Sequence, residues 1–242
     1  HVDVFLFPYM AQHNIKSHIF IFNYSQRLQV TLDLLKGLRY MHARHYAHKD
    51  IKLENIFTTY LMQGTATACL GDFDFLEYTK TDKAQKTCLS GSPRYMAPEL
   101  LIGYNHFSPA DIAKLLPYDE DHVRLRMLIG ETDDFLAQKG IPEANDLFSL
   151  GIVLFQLLIS KRILLGDEFR VLRMRQIRYF PSGRIYDSAH EDYWIYNLLN
   201  PNPMERLKSC DLGRCIEKLE SKLSSCDRFD NSTCSLLTNL LD

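Results

Sequence analysis

The sequence predicts an α+β fold that is mainly α-helical, and three stretches support this prediction. Leucines at helical spacing between residues 26 and 44 form a broad apolar stripe, which is typical of an amphipathic helix. Two short segments at 55–61 and 65–70, rich in Thr, Ala and aromatic residues, flank a Gln-Gly pair and predict a small β-hairpin. From Leu147 to Ile159 the chain is apolar on nearly every side, which indicates a buried central helix.

The bulk composition is typical of a soluble globular domain. With 242 residues and 46% hydrophobic content, the chain can bury one sizeable core. Its formal net charge of -2 gives no reason to expect nucleic acid or an anionic membrane as a partner. The apolar helix is also shorter than the roughly 20 residues that span a bilayer. Six scattered cysteines without a C-x-x-C pair favour reduced thiols, and therefore the cytoplasm, with the nucleus as the alternative.

Five short motifs occur in order along the chain. The first reads HKDIKLENI at residues 48–56 and places an acid, a base and an amide on one short segment. The others are GDFD at 71–74, GSPRYMAPE at 91–99, DLFSLG at 146–151 and NPMER at 202–206. Together they resemble the H-x-D-x-K-x-x-N, D-F-G, Y-x-A-P-E, D-x-W-S-x-G and D-P-x-x-R motifs of the eukaryotic protein kinases. Five ordered matches over most of the chain make this resemblance specific.

The resemblance implies a phosphoryl-transfer site. Asp50 would accept the proton of the attacking hydroxyl, Lys52 would face the transferring phosphate, and Asn55 and Asp72 would bind Mg²⁺. ATP would be the phosphate donor, and its expected contacts lie in the hinge and on the floor of the cleft: Tyr9, Met10 and Phe57. Because the transition state is loose and highly charged, such a site acts mainly by positioning and electrostatic stabilisation.

The resemblance also predicts a protein kinase-like fold that contains the large C-terminal lobe only. Residues 1–13 would be the last N-lobe strand and the hinge, residues 14–225 the C-lobe, and residues 226–242 a C-terminal tail. In this family a glycine-rich loop, a strand lysine and a helical glutamate precede the catalytic loop, and no G-x-G-x-x-G stands before His48. We therefore expect the N-terminal lobe to be absent and the chain to be a fragment with negligible activity by itself.

The segment between Glu99 and Asp146 departs most from the family pattern. Residues 109–143 are rich in acidic side chains, and we expect them to form an insertion. The simpler interpretation is a solvated acidic excursion with one or two helices. The alternative is a docking site for a basic substrate or partner, because long loops are often functional.

Two positions within the matched motifs also differ from the family. Asp74 replaces a glycine, and its side chain restricts the backbone of the metal-binding turn. Lys49 replaces an arginine, and lysine lacks the planar fork that binds a phosphate through two hydrogen bonds. Control by phosphorylation of the nearby Thr87 or Ser90 is therefore less favoured.

Other matched residues are expected to be structural. Ser92 would contact the catalytic aspartate and lysine, and Glu99 and Arg206 would form a buried ion pair. Three histidines have the three-residue spacing that could suit a metal site on a helix: His42, His45 and His48. The resemblance assigns a structural role to the last of them, which disfavours zinc.

Two functions remain open at this point. The first is a serine/threonine protein kinase, favoured by Lys52 and by Gly91-Ser92, because the tyrosine-specific branch usually has alanine at the lysine position. The alternative is a pseudokinase or scaffold that binds partners without catalysis, which Lys49, Asp74 and the missing N-lobe residues favour. The expected partners are a protein substrate and ATP, with no nucleic acid, no membrane, and a possible docking partner at the acidic insertion.

Overall fold

The structure is a computed structural model, and it describes residues 14–60, 66–80, 91–103, 141–160, 163–165 and 193–226. Several predicted features lie outside these residues: Tyr9 and Met10 of the hinge, Thr87 and Ser90, all but the last residues of the 109–143 insertion, and the tail beyond Cys226. The remaining predictions can be compared with the structure.

Helices dominate the described residues. In chain order, the elements are α1 (Tyr24–His42), β1 (Tyr46–Ala47), β2 (Ile56–Tyr60), β3 (Ala66–Leu70), β4 (Glu77–Tyr78), α2 (Pro98–Gly103), α3 (Pro142–Leu154), α4 (Tyr193–Leu198), α5 (Pro203–Ser209) and α6 (Leu212–Cys226). Two 3₁₀ turns, Ile15–Ser17 and Leu53–Asn55, precede α1 and β2. This content agrees with the predicted mainly α-helical α+β class.

Helix α1 begins at a capping box. The Asn23 side chain accepts a hydrogen bond from the Gln26 backbone N–H at 2.9 Å, and the Gln26 side chain accepts one from the Asn23 N–H at 2.9 Å. These two bonds satisfy N–H groups that have no partner within the helix. The predicted apolar stripe is buried, with Leu28, Leu35 and Leu38 at most 2% exposed. The helix therefore forms close to its predicted position and delivers the chain to the 48–56 loop.

The predicted hairpin is confirmed as the antiparallel pair β2–β3. Its register runs from Ile56 opposite Leu70 to Tyr60 opposite Ala66. The 3₁₀ turn Leu53–Asn55 directly precedes β2, and Gly71 directly follows β3. Because the two strands are antiparallel, the 48–56 and 71–74 motifs meet at one end of this sheet. A second antiparallel pair, β1–β4, aligns Ala47 with Glu77.

Helix α3 is the most deeply buried helix that the structure describes. It begins at Pro142, earlier than the predicted start at Leu147, with proline in the first turn where its missing N–H is tolerated. The apolar stretch Pro142–Ile159 is 18 residues long, and by length and composition it could cross a membrane. However, 78% of it is buried inside the protein, as expected of a core helix. A π-helical turn, Phe155–Ser160, ends the element.

Helix α4 packs closely on this core at Gly151. A Cβ at Gly151 would lie 2.9 Å from the Leu198 Cβ of α4 and 2.8 Å from the side chain of the next residue, Leu199, so glycine allows the close approach. The predicted amphipathic helix near residue 194 is confirmed, and Ile195 and Leu198 are fully buried.

Arg206 on α5 forms the predicted buried ion pair with Glu99 on α2. The guanidinium donates to the two carboxylate oxygens at 2.8 and 3.0 Å, and both side chains are 0% exposed. It also donates to the carbonyl oxygens of Ala144 at 2.7 Å, Asn200 at 2.8 Å and Pro201 at 3.3 Å. Since one guanidinium joins α2, α3, α5 and the loop before α5, its removal should loosen all of them.

Replacing Arg206 with alanine tests this arrangement. The substitution leaves the Glu99 carboxylate buried without its cation, so the free energy of unfolding should fall by about 3–5 kcal/mol. Urea unfolding followed by circular dichroism measures this change. Lys208→Ala is the control on the same helix, because Lys208 is 69% exposed and its removal should change stability by no more than about 0.5 kcal/mol. Equal unfolding midpoints for the two variants would contradict the assignment.

A half-buried acid, Asp33 on α1, links the helix to β3. Its carboxylate accepts hydrogen bonds from the Ala68 N–H at 2.9 Å and from Gln29 at 3.0 Å. Burial raises the pKa of Asp33 above its ordinary 3.8, and these hydrogen bonds together with Lys36 oppose the increase. The folded state therefore binds the carboxyl proton of Asp33 more tightly than the unfolded state does. The resulting stabilisation of the fold is present below the unfolded pKa of 3.8 and is lost as the pH rises through the folded pKa.

Asp33→Asn should therefore remove one source of pH dependence. The asparagine oxygen can still accept from the Ala68 N–H, but the partly buried charge that develops at higher pH is gone. We expect the unfolding free energy of the variant minus that of the parent to increase between about pH 4 and pH 7. Urea titrations across that range measure the difference, and a constant value would show that Asp33 does not contribute.

Candidate active site

Asp50 lies in the loop between β1 and the Leu53–Asn55 turn, and its residue is only 3% exposed. One carboxylate oxygen, Oδ2, accepts from Lys52 Nζ at 2.5 Å and from Asn55 Nδ2 at 3.1 Å. Asn55 Nδ2 also donates to the Asp50 carbonyl oxygen at 3.0 Å. The other oxygen, Oδ1, is buried and accepts no hydrogen bond from any residue that the structure describes. Since an unpaired buried acceptor is costly, this oxygen is suited to a donor supplied by a ligand.

The backbone of this loop is held by Asp146, in the first half of α3. Asp146 is fully buried; its Oδ1 accepts from the Lys49 N–H and its Oδ2 from the His48 N–H, each at 2.7 Å. The His42 ring nitrogen lies 3.0 Å from the same Oδ2. Lys49 has a φ of 70°, a left-handed conformation that costs a non-glycine residue about 1–3 kcal/mol. Two hydrogen bonds to a carboxylate contribute about 1.5–3 kcal/mol each, so they offset this strain.

His48 links the 48–56 loop to the turn that carries Asp72. Its Nδ1 accepts from the Asp50 N–H at 3.3 Å, which places the ring proton on Nε2, and Nε2 then donates to the Gly71 carbonyl oxygen at 3.0 Å. The Gly71 N–H donates to the Asn55 carbonyl oxygen at 2.9 Å. Both sides of Gly71 are therefore bonded to the loop, and the next residue, Asp72, must lie beside it.

The predicted metal ligands can be tested by the chemistry of their donor atoms. Because Asn55 uses its nitrogen to donate to Asp50, its side-chain oxygen remains available as a ligand. Asp72 adds an exposed carboxylate in a left-handed conformation, with a φ of 62°. Mg²⁺ is usually bound through one or two such oxygen ligands together with substrate phosphates, so this pair fits magnesium. Within the described residues, no group of three or more His, Cys, Asp or Glu side chains is arranged to hold a metal without a substrate.

Phe57, predicted as part of the nucleotide floor, lies against this turn. A Cβ on Gly71 would stand 2.7 Å from the Phe57 ring, so glycine is needed for the ring to pack there. The contacts of Tyr9 and Met10 with a nucleotide lie outside the described residues and stay predictions.

The 91–99 segment meets the loop through Gly91. This glycine has a φ of 114°, and a Cβ on it would stand 2.4 Å from the Lys49 carbonyl oxygen and 3.6 Å from Asp50 Oδ1. Ser92 was expected to contact Asp50 and Lys52, but among the described residues its hydroxyl hydrogen-bonds to neither; its carbonyl oxygen instead accepts from Tyr95 and Met96. Within this segment, the close neighbour of Asp50 is therefore Gly91.

Lys49 has a partner that sequence reasoning did not identify. Its Nζ lies 2.8 Å from Glu77 Oε2, with the two side chains 11% and 25% exposed. Glu77 belongs to β4, which pairs with β1 directly before the loop. This contact gives a further reason to discount a phosphate partner for Lys49, because a carboxylate already balances its charge. The spacing of Lys49 and Glu77 in the sequence does not predict this ion pair. By contrast, the DLFSLG motif identified the position of Asp146.

Comparison with known proteins identifies the chain. Residues 3–112 match the protein kinase domain model. The human dual specificity testis-specific protein kinase 1 is 34% identical over 191 residues, which is 74% of this chain and 28% of that protein. Serine/threonine-protein kinase KIN4 of Saccharomyces cerevisiae is 26% identical over 215 residues, which is 78% of this chain and 25% of that protein. Serine/threonine-protein kinase pakB of Dictyostelium discoideum is 35% identical over 91 residues, which is 38% of this chain and 10% of that protein.

The match to the protein kinase domain and the 48–56 loop are both of the protein kinase type. The chain belongs to the eukaryotic protein kinase family. It spans between about a tenth and about three tenths of the length of these three relatives.

Asp146→Asn tests how far the loop depends on its carboxylate. Asparagine has one side-chain oxygen, so either His48 or Lys49 would lose the acceptor of its N–H. We expect the free energy of unfolding to fall by about 1–3 kcal/mol and the Lys49 amide to exchange its hydrogen faster. Hydrogen exchange at the Lys49 amide, measured by NMR, reports directly on the conformation of the loop.

Glu205→Gln is the matched control, since this acid on α5 is 56% exposed. It should leave both stability and the Lys49 exchange rate unchanged. An unchanged Lys49 rate in Asp146→Asn would show that the loop keeps its conformation without this carboxylate.

Proposed function

We propose that this chain contributes the catalytic residues of a serine/threonine protein kinase, which transfers a phosphoryl group from ATP to hydroxyl groups of protein substrates. One observation carries the proposal most strongly. Asp50 has one carboxylate oxygen held by Lys52 and Asn55 and a second, buried oxygen without a donor in the described part of the chain. This is the arrangement expected of a fixed acceptor for a substrate proton.

Each residue of the loop has a distinct role in this proposal. Asp50 Oδ1 orients the attacking hydroxyl and accepts its proton. Lys52 holds the carboxylate in place through Oδ2 and supplies positive charge beside the phosphoryl group. Bound ATP with Mg²⁺ supplies the transferable group and the cation that neutralises its charge, and the oxygens of Asn55 and Asp72 would hold that cation.

The preference for serine and threonine rests on two features. Lys52 occupies the position that distinguishes this branch by resemblance, and two of the reported relatives are named serine/threonine kinases. A third is named a dual specificity kinase, so the hydroxyl preference needs a direct test. The corresponding experiment compares serine and tyrosine substrates side by side.

A pseudokinase or scaffold is the second candidate, and the metal-binding turn supports it. Asp74 stands where the family has glycine, two residues after Asp72. An added side chain restricts the backbone conformations through which this turn can present Asp72 to a metal. Partner binding would then be the activity, without phosphate transfer.

Further proposals concern the division of the chain into domains and include residues that the structure does not describe. Residues 1–13 would form the hinge strand, with Tyr9 and Met10 against the adenine, and residues 14–225 would form the C-lobe of the kinase. The acidic segment 109–143 would either stay solvated or dock a basic partner. We also propose a cytoplasmic location, with protein and ATP as partners and neither nucleic acid nor membrane.

Asp50→Asn in the full-length protein tests the catalytic assignment. Without the carboxylate, phosphate transfer from ATP to myelin basic protein in the presence of Mg²⁺ should fall by about 10²–10⁴-fold. Radiolabelled ATP measures the transfer, and chelation of Mg²⁺ should abolish it in the parent. Lys208→Ala, on the exposed face of α5, should retain full activity.

Two outcomes would overturn the proposal. Equal transfer by Asp50→Asn and the parent would show that Asp50 is not the proton acceptor. A parent that transfers no phosphate to serine substrates would favour the scaffold, and recovery of transfer in Asp74→Gly would show that the Asp74 side chain is what prevents it.

A further inference from the structure

Lys49, the residue directly before Asp50, is held both at its backbone and at the tip of its side chain. Its N–H donates to Asp146 Oδ1 at 2.7 Å, and its Nζ lies 2.8 Å from Glu77 Oε2. The Lys49 φ of 70° lies in the left-handed region, which is disfavoured for a residue that carries a Cβ. Contacts from outside the loop must therefore maintain this conformation.

The ion pair between Lys49 and Glu77 is shielded from solvent. The two side chains are 11% and 25% exposed. By comparison, the Lys36–Glu220 pair between α1 and α6 has a similar N–O distance of 2.7 Å, but its side chains are 51% and 48% exposed. Exposed pairs contribute little, because water and salt screen their charges. The shielded pair is screened less, so the loss of Glu77 should affect Lys49 more than the loss of Glu220 affects Lys36.

The Glu77 carboxylate extends from a segment that is fixed independently of Lys49. Strand β4 pairs with β1 and aligns Glu77 with Ala47. Just after β4, the Thr79 N–H donates to the His45 carbonyl oxygen at 2.7 Å. The Thr79 hydroxyl also hydrogen-bonds to the Glu143 carboxylate in the first turn of α3. Glu77 is therefore a preorganised partner, because both β1 and the central helix fix the strand that carries it.

We propose that Glu77 is a positioning residue for phosphate transfer, which fixes the orientation of the Asp50 carboxylate through Lys49. This inference rests on the proposed kinase function. Asp146 fixes where the loop backbone lies, because it binds the N–H groups of His48 and Lys49. Glu77 restricts rotation at Lys49, because the direction of the Cα–Cβ bond depends on φ and the side chain is held at its tip. Without Glu77, Lys49 can relax toward a negative φ, which turns the next peptide.

A rotation at Lys49 would disturb the geometry of Asp50. Asp50 Oδ2 accepts from Lys52 and Asn55, and the buried Oδ1 has no donor among the residues that the structure describes. Gly91 lies close to the Lys49 carbonyl oxygen, where even a Cβ would stand only 2.4 Å away. A turned Lys49–Asp50 peptide would redirect Oδ1 away from a substrate hydroxyl. Since a misplacement of about 1 Å can cost about 10²-fold in rate, turnover should depend on Glu77.

The kinetics of Glu77→Ala in the full-length protein test the inference. For phosphate transfer from ATP to myelin basic protein with Mg²⁺, kcat should fall by about 10–100-fold. The KM values should stay within about twofold, because Glu77 acts on the orientation of Asp50 and not on substrate binding. Glu220→Ala removes the acid of the exposed pair with Lys36 and should retain the parent kcat.

A double variant shows whether Glu77 acts through Lys49. Lys49→Met and Glu77→Ala each remove the same ion pair. Their effects should therefore not multiply, and the double variant should lose no more kcat than the more impaired single variant. Independent effects that multiply in the double variant would refute the proposed route through Lys49.

Hydrogen exchange measured by mass spectrometry reports on the loop independently of activity. In Glu77→Ala of the full-length protein, a peptide covering residues 47–53 should exchange about tenfold faster than in the parent. A peptide covering residues 147–154 of α3 should exchange at the parent rate, which separates loosening of the loop from general destabilisation. In Glu220→Ala both peptides should behave as in the parent.

The two measurements separate failure of this inference from failure of the proposed function. A parent that transfers no phosphate would contradict the kinase function, and the exchange of residues 47–53 would still decide whether Glu77 fixes the loop. Unchanged exchange of this peptide in Glu77→Ala would refute the inference. In an active parent, a kcat of Glu77→Ala equal to that of Glu220→Ala, or a change in KM alone, would refute it as well.

Discussion

A single buried carboxylate, that of Asp146, determines the geometry of the 48–56 loop. It accepts the backbone N–H groups of His48 and Lys49 at 2.7 Å and contacts His42 on α1. Because α3 is packed on its apolar faces, this carboxylate is fixed in space, and the strained left-handed Lys49 is fixed with it. The position of Asp50 is therefore set by the core of the protein and not by the loop's own sequence.

Local patterns predicted much of this architecture. The leucine stripe of α1 and the apolar run of α3 report burial directly, and the Thr- and aromatic-rich segments around Gln-Gly predict the β2–β3 hairpin. All three elements form near their predicted positions. The contacts among Asp50, Lys52 and Asn55 span only a few residues, so the motif spacing was enough to bring them together. The Glu99–Arg206 pair was predicted from resemblance alone.

The parts that could not be predicted depend on long-range contacts. The Glu77–Lys49 pair arises because β4 returns to β1, and the Asp33–Ala68 bond because α1 packs on the hairpin. Neither relation leaves a periodic signal, since each depends on how separate elements pack. The expected role of Ser92 failed for a related reason: the left-handed turn at Gly91 brings the glycine, instead of the serine hydroxyl, against the loop.

Gly71 has a consequence for how the turn at Asp72 can move. Its N–H is bound by the Asn55 carbonyl and its own carbonyl by the His48 ring, while the Phe57 ring covers its α-carbon. These three contacts fix the backbone up to Gly71, and Asp72 is the first residue of the turn beyond them. A change between alternative conformations of the turn must therefore begin with backbone rotation at Asp72. Such a change involves only a short segment and leaves the adjoining hairpin in place.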